Sequence, residues 1–380
     1  MIPQSKHFID EDDINAVSDV LRNKNITQGE LVNSLEKKIC KYVKSKYAVV
    51  VTSCSAGLHL SCKVLDIKNK NVVTSPITFA STASSVLHNN GNLKFVDIAE
   101  NNVNIDLNNI EKLKFNVDTI IPVHFSGAPV ELKDFRSRNP KIKILEDSAH
   151  ALGSKYKSGE MIGSCKYSDL SVFSLHPSKT ITSGEGGIIT TNNKEYYEKL
   201  KLIANNGVQK KNEKFKIKKN KNNMWYYEVQ ELGFHYRITD FQCALAISQM
   251  NKIGKFLKIR EKLVQNYDYA FNNFKNLSPA IDFSERKNSS NHLYVVRIRF
   301  KKINKTRNEV MKYLKKMGIY TQVHYIPVVN HPLFKNYRLK NTQLTNTRSY
   351  YDEALSLPLH CSLTEKQQEK VIQELKKIVG

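Results

Sequence analysis

Short β-branched runs alternate with helical patterns through the first two-thirds of the chain. The pattern predicts a buried strand at residues 47–51, a turn at 52–55 and a helix at 56–65. Similar runs predict six further strands, at residues 72–75, 94–97, 119–123, 142–146, 170–174 and 187–191. Because strands separated by helices pair in parallel through crossover connections, this pattern predicts an α/β domain with a mainly parallel central sheet.

The pattern changes near Tyr236, where a long helical stretch begins. It leads into predicted strands at residues 293–300 and 321–325 and predicted helices at 307–317 and 365–379. A chain of 380 residues is long enough for two domains. We therefore predict a large domain at residues 1–235, which includes an N-terminal segment and a solvated, lysine-rich loop at 208–224. A smaller α+β domain is predicted at residues 236–380.

The formal charge of +23 is compatible with a nucleic-acid-binding protein, but the type of cation argues against that class. The chain has 11 arginines against 48 lysines, and the lysines are spread along its whole length. Proteins that read bases and phosphates favour the planar, bidentate arginine side chain. We therefore predict a solvated lysine surface without nucleic-acid function, which leaves an anionic small substrate compatible with the charge.

Other classes are disfavoured by what the sequence lacks. No apolar run approaches the roughly 18 residues of a membrane span, and the first residues turn acidic where a secretory signal would be apolar. The sequence therefore predicts a cytoplasmic protein that does not bind a membrane. The six cysteines are scattered without a C-x-x-C pair, so we expect buried free thiols, with neither a metal site nor a disulfide framework.

Two polar segments follow predicted strands, at the sheet edge where open α/β folds bind their ligands. Asp147 comes directly after an apolar strand, and Lys179 lies between a strand and the Gly-rich turn at residues 184–187. An isolated aspartate at a strand end is usually a helix cap, and an isolated lysine is usually solvated. A lysine held between an apolar strand and a G-E-G-G turn, however, can lose hydration, which lowers the pKa of its amine and frees the amine to form a Schiff base.

With these two segments in view, the chain resembles the DegT-type nucleotide-sugar aminotransferases. The resemblance covers nearly the whole chain and includes the segments of Asp147 and Lys179. It also includes residues 26–29, 52–58, 75–79, 231–237 and 322–325. Residues 225–228, 289–294 and the H-P-S-K form of residues 176–179 are most similar to the transaminases of pseudaminic acid biosynthesis. The resemblance implies the fold-type I architecture and pyridoxal 5′-phosphate as cofactor.

The resemblance also implies residue roles. Lys179 would hold the cofactor covalently and move the proton, and Asp147 would keep the pyridine nitrogen protonated. The cofactor phosphate would be held by Ser174 and by the backbone amides of Ser55 and Ala56 at a helix start, although Ser55 alone would be an ordinary N-cap. Three further residues complete the implied cofactor site, in which Phe79 stacks on the ring, His150 lies near the phenolic oxygen, and His235 reaches the phosphate of a neighbouring subunit.

Two positions depart from the pattern of the resembled family. Ser55, Ala56 and Gly57 replace the common Thr-Ser-Ala, which removes one hydroxyl contact to the phosphate, and His235 stands where asparagine is frequent. Related dehydratases replace the Schiff-base lysine with histidine, whereas this chain keeps Lys179 and has His176 three residues earlier. The resemblance therefore favours transamination.

The activity that the resemblance implies is amination at C4 of a UDP-linked 4-keto-6-deoxy-N-acetylhexosamine, with glutamate as donor, in a homodimer with shared active sites. The alternatives are a sugar-nucleotide aminotransferase with another nucleotide or with amination at C3, a non-catalytic sensor that carries the cofactor, and a basic nucleic-acid-binding protein.

Overall fold

The computed structural model describes residues 1–217, 219, 222–337 and 343–380. A seven-stranded sheet dominates the first half of the chain. Its strands are β1 (Tyr47–Val51), β2 (Asn71–Thr74), β3 (Asn92–Phe95), β4 (Thr119–Ile121), β5 (Lys143–Asp147), β6 (Leu170–Ser174) and β7 (Gly187–Thr191). Each predicted strand of this region is therefore present within a few residues of its expected bounds.

The strands are arranged in the order β1-β7-β6-β5-β4-β2-β3. Strand β7 runs antiparallel to both of its neighbours, and the other four neighbouring pairs are parallel. The carboxyl ends of β1, β2, β4, β5 and β6 therefore lie at one edge of the sheet, where β7 begins. This arrangement confirms the predicted α/β fold with a mainly parallel sheet.

Twelve α-helices are found in the described part of the chain, most of them between or after the strands of the large sheet. They are α1 (Glu11–Asn23), α2 (Leu31–Val43), α3 (Cys54–Val64), α4 (Ala80–His88), α5 (Leu107–Glu111), α6 (Lys133–Arg138), α7 (Lys194–Ile203), α8 (Asp240–Phe271), α9 (Phe283–Arg286), α10 (Arg307–Lys316), α11 (Thr345–Glu353) and α12 (Glu365–Val379).

Both faces of the large sheet are covered. Alternate residues of β1 divide between two hydrophobic clusters, because successive side chains of a strand point to opposite faces. Val50 packs in the cluster that includes α2 and the first half of α8, whereas Val49 packs in the cluster that includes α3 and α7. The strands are therefore apolar on both sides, as expected for a parallel sheet.

The last third of the chain builds a second sheet, in which β10 (Leu277–Pro279), β11 (Tyr294–Ile298) and β12 (Ala354–Leu357) pair antiparallel. Its cluster is shared with the second half of α8, so this helix joins the two hydrophobic cores. The prediction of a strand at residues 321–325 was wrong, because that segment forms only one isolated β-bridge, between Gln322 and Ser356. The domain boundary after residue 235 stays a prediction.

The lysine-rich segment contains more local structure than the predicted loop. It begins at β8 (Val208–Gln209), which pairs antiparallel with the short strand β9 (Glu228–Val229) that follows the segment. The Glu228 carboxylate accepts bonds from the amides of Lys216 and Ile217, at 2.8 and 2.7 Å. The predicted solvated loop also includes Lys218, Asn220 and Lys221, which lie outside the described residues.

Candidate active site

The carboxyl edge of the large sheet gathers most of the residues that the sequence singled out. Ser55 follows β1, Phe79 follows β2, Asp147 ends β5, Ser174 ends β6, and Lys179 lies in the turn after β6. Because these strands are parallel, residues far apart in sequence meet at the same edge. The fold therefore forms one site from segments spread over more than 120 residues.

The Asp147 carboxylate is buried, with 4% of the residue exposed. Its Oδ2 accepts a hydrogen bond from Thr82 Oγ1 at 2.5 Å, and its Oδ1 accepts one from the amide of Ala149 at 3.1 Å. Burial raises the pKa of Asp147, and these bonds together with the nearby Lys179 offset only part of that effect. The carboxylate is consequently incompletely stabilised by its own chain, which suits it to pair with a cationic group of a ligand.

Sequence reasoning missed the hydroxyl pair that supports Asp147. The Thr82 hydroxyl donates its hydrogen bond to Asp147. It therefore acts as the acceptor toward Thr78 Oγ1, which is 2.7 Å away. Both threonines are buried, and Thr82 lies on α4 close to the end of β2. The only sequence signal was the spacing of two threonines four residues apart, shortly after the predicted strand at residues 72–75.

Lys179 occupies the turn between β6 and β7, where its amide donates to the carbonyl of His176 at 2.9 Å. Burial lowers the pKa of the Lys179 amine to about 8, against the opposing influence of Cys54 and Asp147. Arg260 also lowers it. At neutral pH the free, nucleophilic amine is therefore more populated than in a solvated lysine.

The start of α3 presents backbone amides to the same edge. Ser53, rather than Ser55, is the N-cap, because its Oγ accepts from the amide of Ala56 at 3.1 Å. The amide of Ser55 has no hydrogen-bond partner in the described part of the chain, and the Ser55 side chain is exposed. A helix start with a free amide favours an anionic group such as phosphate.

The Gly-rich turn allows β7 to begin directly beneath this helix start. A Cβ at Gly187 would lie 2.3 Å from the carbonyl oxygen of Ser53, so only glycine fits there. Ser174 is buried on the adjacent strand, and its Oγ accepts from the amide of His176 at 3.3 Å. The turn thus places Ser174 and the start of α3 at the same edge.

Two rings lie at the other side of the site. Phe79 precedes α4 and is 61% exposed, with its ring centroid 6.3 Å from that of Tyr325. His150 is buried, and its Nδ1 accepts from the amide of Ser126 at 3.2 Å. Burial lowers the pKa of His150 well below its usual range, so the neutral ring carries its proton on Nε2, which is 3.1 Å from Tyr325 Oη.

Tyr325 was noted only as part of a motif, and its contact with His150 could not be read from the sequence. His235 is placed differently from the other predicted residues, because its side chain is exposed and its Nε2 lies 3.0 Å from the Arg237 guanidinium. The neighbouring Tyr236 carbonyl accepts from the amide of Thr52, so the segment runs beside the start of α3. The role predicted for His235 in a second subunit stays a prediction.

The described residues contain no group of three or more histidine, cysteine or acidic side chains arranged to hold a metal ion. None of their helices is both long and apolar enough to span a membrane.

The site fits pyridoxal phosphate group by group. Its buried, incompletely stabilised carboxylate suits a protonated pyridine nitrogen, and its amine of lowered pKa suits an aldehyde. The free amide at the start of α3 suits a phosphate, and the exposed Phe79 offers an aromatic face to a planar ring.

Comparisons with known proteins agree with this fit. Residues 7–376 match the model of the DegT/DnrJ/EryC1/StrS aminotransferase family. The UDP-4-amino-4,6-dideoxy-N-acetyl-beta-L-altrosamine transaminase of Campylobacter jejuni (strain 81-176) is 36% identical over 372 residues, which cover 96% of this chain and 94% of that protein. The spore coat polysaccharide biosynthesis protein SpsC of Bacillus subtilis is 33% identical, over 100% of this chain and 97% of that protein.

A solved structure is similar over the whole chain. PseC of Helicobacter pylori, described as an aminotransferase involved in the biosynthesis of pseudoaminic acid, superposes with a TM-score of 0.89 at 30% identity. The match covers 100% of this chain and 99% of PseC. It confirms the predicted fold-type I architecture. The chain therefore belongs to the DegT/DnrJ/EryC1/StrS aminotransferase family and is an aminotransferase that depends on pyridoxal phosphate.

Proposed function

We propose that this enzyme transfers an amino group to C4 of a UDP-linked 4-keto-6-deoxy-N-acetylhexosamine, with glutamate as the donor. The reaction would serve pseudaminic acid or related surface-glycan biosynthesis in the cytoplasm. The main observation that supports this chemistry is that Lys179 and Asp147 lie close enough at one sheet edge to interact electrostatically. The choice of sugar is supported by relatives named as UDP-altrosamine transaminases, at 31–36% identity.

The cofactor supplies an electron sink when it is bound. The chain's own residues would do the rest. The Lys179 amine would attach the cofactor and then carry a proton between the reacting carbon atoms, for which a pKa of about 8 is well matched to neutral pH. Asp147 would hold a proton at the pyridine nitrogen, and Ser174 and the start of α3 would bind the phosphate. Phe79 and His150 would orient the ring.

The substrate is tested with a panel of keto-sugar nucleotides and glutamate. The UDP-linked 4-keto-6-deoxy-N-acetylhexosamine should be aminated at C4 with the highest kcat/KM, and a matched sugar without the keto group should not react. Amination at C3, or preference for another nucleotide, would contradict the proposed substrate and support the alternative sugar-nucleotide aminotransferase. Glutamate that fails to convert the bound cofactor would contradict the proposed donor, and a protein without turnover on any ketone would support a sensor.

The covalent link is tested separately from the substrate. Borohydride reduction of the holoenzyme followed by peptide mapping should place the pyridoxyl group on Lys179. A label on another lysine would overturn the assignment of the site, whatever the substrate proves to be.

We also propose a homodimer in which residues 233–237 of one subunit contribute His235 to the site of the other. His235→Ala and Lys179→Ala proteins, each impaired alone, should recover part of the activity when they are mixed and exchange subunits, because one site of the heterodimer is complete. No recovery despite demonstrated exchange, or a monomer in ultracentrifugation at working concentration, would contradict the shared site. Full activity of His235→Ala would remove His235 from it.

A further inference from the structure

Arg260 is a buried cation at the point where α8 passes from one hydrophobic core to the other. It is 3% exposed and lies between Phe256, which packs in the core of the large sheet, and Leu263, which packs in the C-terminal core. Its Nη1 donates to the carbonyls of His292 at 3.2 Å and Leu359 at 3.3 Å. No carboxylate forms an ion pair with it among the described residues, so the charge is held by main-chain carbonyls together with the Cys361 side chain.

One of these carbonyls belongs to residues 289–293, which we call the clamp segment. The segment is fastened to the active site by further hydrogen bonds. The amide of His292 donates to the carbonyl of Ser126 at 2.8 Å, and Ser290 Oγ donates to the carbonyl of His150 at 2.6 Å. The amide of Ser126 in turn donates a hydrogen bond to His150 Nδ1. An unbroken chain of contacts therefore leads from the Arg260 guanidinium to the ring of His150.

The clamp segment also presents a second ring to the site. The ring centroids of His292 and His150 are 4.3 Å apart, with the planes tilted by 34°. Burial lowers the pKa of both imidazoles well below the usual range, and Arg260 adds to this effect at His292. Close stacking of two imidazoles is favourable when both are neutral, because two imidazolium ions at this distance would repel each other.

We propose that Arg260 is a positioning residue of the active site, which holds the clamp segment against Ser126 and His150 and keeps its permanent positive charge beside the stacked rings of His292 and His150. This inference rests on the proposed attachment of the cofactor to Lys179. It assigns a function to the Ser289–Leu293 part of the sequence, whose role the aminotransferase chemistry alone does not explain.

The consequence for acid–base behaviour has a definite sign. A fixed positive charge disfavours a second one nearby, so Arg260 favours the unprotonated form of the Lys179 nitrogen, whether it is free or linked to the cofactor. Loss of the charge should therefore move protonation of that nitrogen to higher pH. The other groups that interact electrostatically with this nitrogen or with the two rings beside it are Cys54, Asp147, His150, His292 and His324.

The test measures the bound cofactor without any sugar substrate. The absorbance of the holoenzyme is titrated with pH in the wild-type protein and in Arg260→Gln and Arg260→Lys, after peptide mapping has confirmed the link to Lys179. The titration midpoint of Arg260→Gln should shift to higher pH, because the fixed charge that disfavours protonation is lost. Arg260→Lys keeps the charge, so its midpoint should stay close to that of the wild type.

Arg286→Gln is the matched control, because Arg286 is also buried in the C-terminal region but is ion-paired with Asp268 at 2.5 Å. It should lower the melting temperature and leave the titration midpoint unchanged. An unchanged midpoint in Arg260→Gln, or an equal rise in Arg286→Gln, would overturn the proposal. A cofactor mapped to another lysine would instead overturn the proposed active site.

If Arg260→Gln does not fold, two milder variants keep the proposal testable. Arg260→Lys should lower kcat, since a compact ammonium group cannot bridge the same carbonyls, while its midpoint is retained. Ser290→Ala removes the bond to the His150 carbonyl and keeps Arg260 in place, so it should also lower kcat without moving the midpoint. A full rise of the midpoint in Arg260→Lys, or wild-type kcat in both variants, would contradict the proposal.

Discussion

Glu146 and Asp147 are adjacent on β5, and both carboxylates are buried on opposite sides of the strand. Their pKa values are nevertheless shifted in opposite directions. Burial alone would raise the pKa of Glu146, but hydrogen bonds with His124 at 3.1 Å and from Tyr156 at 2.7 Å outweigh it, so the pKa is lowered. Burial does raise the pKa of Asp147, because its bonds to Thr82 and Ala149 are not sufficient.

This difference separates a structural carboxylate from the carboxylate that we propose for the active site. Glu146 has its partners in its own chain, so it stabilises the fold and has no need of a ligand. Asp147 is left in a costly environment that a cationic ligand group would relieve. Each of the two residues carries a buried carboxylate, and the hydrogen-bond partners of that carboxylate distinguish them.

The largest effect is expected at the lysine on the Asp147 side of β5. Lys179→Ala removes the amine that we propose attaches the cofactor and moves the proton, so turnover should fall by roughly 10⁴-fold or more. Lys201→Ala is a suitable control, because Lys201 is ion-paired with Glu36 at 3.0 Å and should leave turnover near the wild-type value. Steady-state kinetics would measure both, and an active Lys179→Ala enzyme would refute the assigned site.

Asp147→Asn tests the comparison most directly. A neutral amide cannot keep the pyridine nitrogen protonated, so turnover should fall on the order of 10²–10³-fold, the scale of losing one preorganised electrostatic contact. The cofactor should still attach, which its absorbance would report. The neighbouring Glu146→Gln should turn over at nearly the wild-type rate, and equal losses in the two variants would remove the distinction drawn here.

Glu146→Ala should reverse the pattern, with a loss of stability rather than of chemistry. It leaves the buried His124 ring and the Tyr156 hydroxyl without their acceptor, which should lower the free energy of unfolding by about 3 kcal/mol. Urea denaturation would measure the loss. Unchanged stability would show that the pair on this side of β5 is not structural.

The smallest effect concerns pH. A raised pKa means that the folded protein holds the Asp147 proton more tightly than the unfolded chain does, so this group contributes less stability as pH rises from its ordinary value of 3.8 through the raised one. Glu146 has the opposite sign, since its contribution is present above its ordinary pKa and is lost as pH falls through the lowered one.

Cofactor-free Asp147→Asn should therefore unfold at a higher urea concentration than the cofactor-free wild type at neutral pH, and the difference should disappear in acid. The gain should be smaller than the loss in Glu146→Ala. A variant that is less stable at neutral pH would show that the Asp147 carboxylate is not destabilising.

The sequence was sufficient for the elements whose signal is local. Strands such as β6 and β7 were predicted with their observed bounds, because β-branched runs between turn residues identify strands on their own. Asp147 and Lys179 were likewise found from their positions beside strands. The segment at 321–325 was misassigned because its apolar and polar residues alternate as in a strand, whereas the structure gives it a single bridging pair.

The partners of these residues were decided by the tertiary structure. Thr82 reaches Asp147 across 65 positions of sequence, and Tyr325 reaches His150 across 175. The sequence shows that a histidine, a threonine or an arginine exists, but its charge state depends on burial and on which groups the fold places beside it. Local pattern thus determined the strands and the residue types at their ends, and long-range packing determined which of two adjacent carboxylates has a lowered pKa and which has a raised one.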